Sequence, residues 1–128
     1  MIRANFKFSL PKLEKQIDEV VIQVQKVVAL QILTGVVNMT PVRTGRARGN
    51  WQVTIGQPSD AYSETKTDKE GGSTISAGRG VIESITTLGA VYLTNNVPYI
   101  IPLETGSSTQ APQGMVQVTL DRVAAQFG

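Results

Sequence analysis

Neither cysteine nor histidine occurs in the 128 residues of this chain. The first absence removes a disulfide framework, a thiolate nucleophile and a zinc-finger site, and leaves the redox compartment open. The second removes the commonest general base and the commonest transition-metal ligand. Most hydrolase and metalloenzyme constellations are excluded with them, so the expectation is a protein that is not an enzyme and carries no cofactor. Charge is scarce as well. Lys+Arg 12 against Asp+Glu 10 leaves +2, too small a bias to draw nucleic acid or anionic lipid by bulk electrostatics. The start, MIRANFKFSLPKLEK, has no apolar run of signal-peptide length. Nowhere do about 18 apolar residues follow one another, as a membrane span needs. A chain made and used in a cytoplasm, with no membrane partner, is expected.

What remains is the composition of one ordinary globule. Apolar residues make up 41% and charged residues 17%, which is not a disordered-tail balance. The length suits a single domain over residues 1–128. Its strongest signal runs from about Lys12 to Met39. Leu13, Ile17, Val20, Val24 and Val27 recur at steps of four and three, one stripe on an α-helix, widened by Val21 and Val28. Ser9 is placed to cap it and Pro11 suits its first turn. About 28 residues would span roughly 42 Å, ending before Pro41. Lys12, Glu14, Lys15, Gln16, Asp18 and Glu19 lie opposite the stripe. From Val27 to Val37, VVALQILTGVV is apolar nearly all round, so this half either crosses the domain beneath a sheet or is partly covered by a neighbouring subunit. Leu30, Leu33 and Val37 are expected in the core.

The alternation from Trp51 to Ile55 predicts a strand with one buried face. Residues 57–72, QPSDAYSETKTDKEGG, hold no aliphatic larger than alanine, and read as an exposed polar loop with little to anchor it. Ile75, Val81, Ile82, Ile85 and Leu88 suggest a short helix from about Gly80 to Leu88, with strand as the alternative, because Gly78 and Gly80 each weaken a helix by about 1 kcal/mol. Gly78-Arg79-Gly80 is taken as a turn. Val91 to Thr94 reads as a second strand, and Met115 to Phe127 as a closing helix with Val116, Leu120 and Val123 on one face. The fold class is α+β: a long N-terminal helix packed on a small antiparallel sheet, with a short middle helix and a C-terminal helix.

Chemistry is concentrated in two places. Arg43, Arg46 and Arg48 form the densest positive charge, suited to bidentate recognition of a carboxylate or phosphate, or else to a solvated turn paired with nearby acids. Trp51, which follows, is either a core anchor or a stacking platform for a base. Glu83 and Glu104 are the pair of acids that carboxylate chemistry would require; nothing in their spacing brings them together, and a structural ion pair is the plainer reading.

Two segments together resemble a known family. Residues 40–51, TPVRTGRARGNW, look like the TPVdTGrlr…sW signature of the neck and tail-completion proteins of long-tailed siphophages. Asn95-Asn96-Val97-Pro98-Tyr99, then Leu103-Glu104-Thr105-Gly106, then residues 110–115, QAPQGM, are similar to that family's ending. The resemblance covers about a third of the chain. The family often has an acid where Arg43 stands, and Ile101-Pro102 interrupts the usual run. What the resemblance implies is an α+β structural subunit of the virion neck, assembled in the host cytoplasm into a six-membered ring. Its partners would be itself, a head-closure protein and a tail-tube or tail-terminator protein, with passing contact with DNA in the channel. Arg43, Arg46, Arg48, Trp51, Tyr99 and Glu104 would then lie at interfaces. The alternative is a small DNA-binding or protein-interaction module, such as a toxin–antitoxin component, using the arginine cluster.

Overall fold

Helix α1 (Leu10–Met39) is the axis on which the rest is built. The computed structural model describes residues 10–127 apart from Ser107 and Pro112; the expected cap at Ser9 lies outside the described residues. Pro11 falls in the first turn, where its missing N–H is no loss. At the other end the Thr40 N–H still reaches the carbonyls of Val36 and Val37 at 3.0 and 3.3 Å, and Pro41 then blocks a further turn. Among the described residues there follow α2 (Arg46–Gly49), β1 (Gln52–Ile55), α3 (Gly72–Glu83), β2 (Val91–Thr94), α4 (Ile100–Glu104) and α5 (Val116–Phe127). The two strands pair antiparallel, with Gln52 opposite Thr94 and Ile55 opposite Val91. The fold is α+β.

The second half of α1 is the centre of the core. Leu33, Val36 and Val37 are completely buried and join Trp51, Val53, Ile82 and Met115 in one apolar cluster. Leu30 packs against that cluster but is only half-buried. By length and composition α1 would suffice to cross a membrane, and 22% of its most apolar 18-residue window is buried within the domain. The first half behaves differently. Residues 10–21 are all exposed, and Ile22 is the first residue that the domain covers. The stripe picked out by the periodicity is therefore not the packing face. Ile22 stands about half a turn of the helix wheel away from Val20 and Val24, at 100° per residue, so the stripe points away from the domain.

The middle helix corrects the sequence reading at both ends. It begins at Gly72 rather than about Gly80 and stops at Glu83 rather than Leu88, so Gly78-Arg79-Gly80 lies inside a helix and is not a turn. The propensity cost of Gly78 is offset by contact. A methyl group there would overlap Leu33 of α1 and crowd Val53 of β1, so only glycine lets α3 approach this closely. Thr74, Gly78 and Ile82 make the buried face. Ile85 is buried beyond the helix end, while Leu88 is exposed.

A second helical glycine sets the other crossing. Gly35 faces Thr119 of α5, and a methyl there would strike the threonine side chain. The buried face of α5 is accordingly Thr119 and Val123; Leu120, expected to face inward, is 40% exposed. Helices α2 and α4 escaped the sequence reading because they hold 4 and 5 residues, too few for a periodic pattern to emerge.

Candidate functional site

Past Pro41 the chain enters a tight turn in which Gly45 takes φ 85 and the backbone of Asp68 and Lys69 presses where a Cβ would stand. Only glycine tolerates both conditions. This turn launches α2, and α2 sends its two arginines in different directions.

Arg48 turns inward, to the end of α1. Its guanidinium donates to the carbonyls of Thr40 at 2.8 Å, Asn38 at 3.1 Å and Lys69 at 2.8 Å. It thus satisfies helix-terminal carbonyls that would otherwise lack donors and ties α1 to the polar loop. Arg48, expected at an interface, is held by these bonds within the chain. Trp51 is also internal. Its ring is buried and its indole N–H donates to Thr40 Oγ1 at 2.7 Å, so it is the core anchor and not a stacking platform.

Arg46 turns outward. Its guanidinium lies over the rings of Tyr99 and Tyr62, at 5.5 and 5.9 Å from their centroids, within cation–π range. Among the described residues its Nε is buried without a hydrogen-bond partner. Arg43 is exposed. Both arginines line an open cleft of about 840 Å³, with Glu64, Tyr99, Leu103 and Gln110 among its walls.

Among the described residues Glu104 meets backbone N–H groups and no arginine. Its carboxylate accepts from the backbone N–H groups of Met115 and Val116 at 2.8 Å each and of Gln117 at 3.2 Å, the first turn of α5. Burial works against the ionised form, but these three donors outweigh it and hold the carboxyl below its ordinary value. Gly114, at φ 81, makes the approach possible, since any side chain there would collide with Glu104. Asp68 does the same for α3. It accepts from Gly71 N–H, Thr74 N–H and the Thr74 hydroxyl at 2.8–2.9 Å. Burial again opposes, and the hydrogen bonds with the nearby Lys66 charge prevail, so its pKa is lowered too.

Both carboxylates thus act as helix caps. Glu83 is exposed at the end of α3 and Glu104 serves α5, so the two acids imagined as a carboxylate pair are engaged separately. Among the described residues no group of three or more metal-ligating acids gathers.

The polar loop is anchored more than its composition suggests. Asn50 exchanges two hydrogen bonds with the Ser63 backbone at 2.7 and 3.0 Å. Asn96 donates to Ser59 O at 2.7 Å, and Asp68 N–H reaches Gly45 O at 3.0 Å. The two segments that carry the family resemblance also meet. Gln110 brackets the Val42 backbone, accepting at 2.8 Å and donating at 3.1 Å, and Asn95 donates to Ala47 O at 2.7 Å. The chain matches no protein-family model, and it has no significant match among curated proteins or solved structures.

Proposed function

We propose that this chain is a structural virion subunit of a phage head–tail joint, forming or completing a ring between head-closure and tail-tube or terminator proteins, and that it is not an enzyme. The observation that carries the reading is the junction of the two motif segments. Residues 40–51 and 95–115 stand far apart in sequence, yet the Gln110–Val42 bracket, the Asn95–Ala47 bond and the Tyr99–Arg46 stack join them into one surface. Segments that resemble a family separately thus form a single structural unit here. Of the two acids that carboxylate chemistry would pair, Glu104 is spent on a helix cap.

The unit offers a cleft in which Arg43 and Arg46 face outward while Arg48 and Glu104 are consumed within the subunit. Interface contact therefore belongs to Arg43, Arg46 and Tyr99, which line the cleft. A DNA-binding module is less well served, because the arginine cluster that it would need is divided between the cleft and the end of α1. The test is the mass of the purified protein, alone and mixed with tail tubes. Ring-sized mass on the tubes supports the reading; a chain that ignores tubes and instead retains duplex DNA at physiological salt overturns it.

A further inference from the structure

The outward stripe of α1 is longer than periodicity alone suggests, because Leu10 extends it. Leu10, Leu13, Ile17, Val20, Val24 and Val27 occupy alternate steps of three and four, and each is between 41% and 68% exposed. They cover about 26 Å of helix at about 1.5 Å per residue, on the side opposite Ile22. Two heptads of apolar residues facing solvent are the pattern with which helices pair. The stripe also has a direction: its first three members are Leu, Leu and Ile, its last three Val, Val and Val.

We infer that in the free protein this stripe is covered by the same stripe of a second copy, the two α1 helices running antiparallel. In that arrangement Leu10 meets Val27, Leu13 meets Val24 and Ile17 meets Val20, then the same three contacts repeat in reverse. Every layer joins one larger side chain to one valine, so the seam has constant width, as close packing of facing positions requires. A parallel pair in register would instead stack leucine on leucine at one end and valine on valine at the other. The flanking positions Glu14, Gln16, Val21, Gln23 and Val28 contain a single charge, so neither like-charge repulsion nor burial of several ions opposes approach. The contact is isologous and closes on two copies. It is therefore distinct from a ring contact and independent of the joint reading. It describes the subunit before any partner arrives. A seam of this length lies at the small end of specific interfaces, so a dissociation constant on the order of micromolar is expected.

The test uses the full chain, which contains no cysteine. Sedimentation velocity should show monomer giving way to dimer as concentration rises through the micromolar range. Ile17→Asp together with Val24→Asp should weaken association roughly 100-fold or more. The fluorescence of the sole tryptophan, Trp51, should keep its parental melting transition, since both sites lie outside the core. Direction is read by oxidation: Leu10→Cys and Val27→Cys chains mixed together should form a mixed disulfide dimer, and Leu10→Cys alone should not. Ready disulfide formation by Leu10→Cys alone would overturn the antiparallel arrangement. A chain that stays monomeric up to hundreds of micromolar, or one that dimerises equally well with both aspartates present, would overturn the seam itself. So would transfer of the protein onto phosphatidylcholine–phosphatidylglycerol vesicles with loss of the dimer.

Discussion

Thr40 and Trp51 share one hydroxyl. The Trp51 indole donates to Thr40 Oγ1 at 2.7 Å, and that hydroxyl donates in turn to Val36 O. Both side chains are buried, so the hydroxyl fastens the end of α1 to the strand that follows. Thr40→Val keeps the shape and leaves the indole N–H unpaired, which should cost about 1–3 kcal/mol. Thr40→Ser should cost less. Urea denaturation of the two variants checks this; equal stability of Thr40→Val and the parent would show that the bond contributes nothing.

Leu33 is completely buried at the meeting of α1 with α3. Leu33→Ala should lose about 2–5 kcal/mol, and Leu30→Ala less, because Leu30 is half-buried. Gly78→Ala should also destabilise, by about 1–3 kcal/mol, through overpacking against Leu33. Melting temperatures of the three variants give the comparison. A Gly78→Ala chain more stable than the parent would mean that helix propensity outweighs the contact.

The arginines should separate by readout. Arg48→Ala strips donors from three carbonyls and should cost about 1–3 kcal/mol. This reverses the expectation from sequence, under which an Arg48 variant would behave as a surface change. Arg46→Ala should change stability little and lower the yield of joined particles, since charges at interfaces chiefly select partners. Unchanged assembly by the Arg46 variant would return that residue to a purely local role on its tyrosines.

Acid should loosen both caps. The folded pKa of Asp68 lies below its ordinary 3.8 and that of Glu104 below 4.5. Their stabilisation is therefore complete above those values and is lost as pH falls through the folded ones. As pH falls below about 4.5 the melting temperature should fall, and Glu104→Gln or Asp68→Asn should show a shallower fall from a lower start. A parallel decline in parent and variants would locate the acid sensitivity elsewhere.

Trypsin should discriminate within the polar loop. Lys66 is exposed between anchors, whereas the carbonyl of Lys69, at the scissile position, accepts from Arg48 and its neighbour Asp68 caps α3. Cleavage after Lys66 should precede cleavage after Lys69. The reverse order, by mass spectrometry of early fragments, would show that the Arg48 bond does not hold the loop.

The parts of the fold written in local periodicity were legible: α1 ending at Met39, the strand after Trp51, the strand at Val91–Thr94. What the pattern could not state was which face of α1 finds cover. The stripe at three and four is the more regular signal, yet the domain packs on Ile22, Leu33, Val36 and Val37. Periodicity reports that a surface is apolar and leaves its partner undetermined. Gly78 misled because its helix cost is local while its benefit, contact with Leu33, comes from 45 residues away in sequence. The site was half legible. Arg43, Arg46, Arg48, Trp51, Tyr99 and Glu104 were all singled out, but Arg46 and Arg48 differ by two positions and so by roughly half a turn. That rotation alone separates a cleft residue from a helix cap. Asp68 was overlooked because a carboxylate in a polar loop gives no sign that two helix N–H groups await it.

The exposure of residues 10–21 bears on the thermodynamics of the fold as a whole. In the monomer, twelve residues without tertiary support form too short a segment to stay reliably wound in water, where isolated helices shorter than about 12–15 residues are marginal. They are continuous with a rigidly packed second half, so winding propagates outward from Ile22 and needs no new nucleus. Amide hydrogens should accordingly exchange in a gradient, slow at Leu33 and faster turn by turn toward Leu10. Unfolding of the chain would then begin as fraying of a single end, ahead of the cooperative loss of the core.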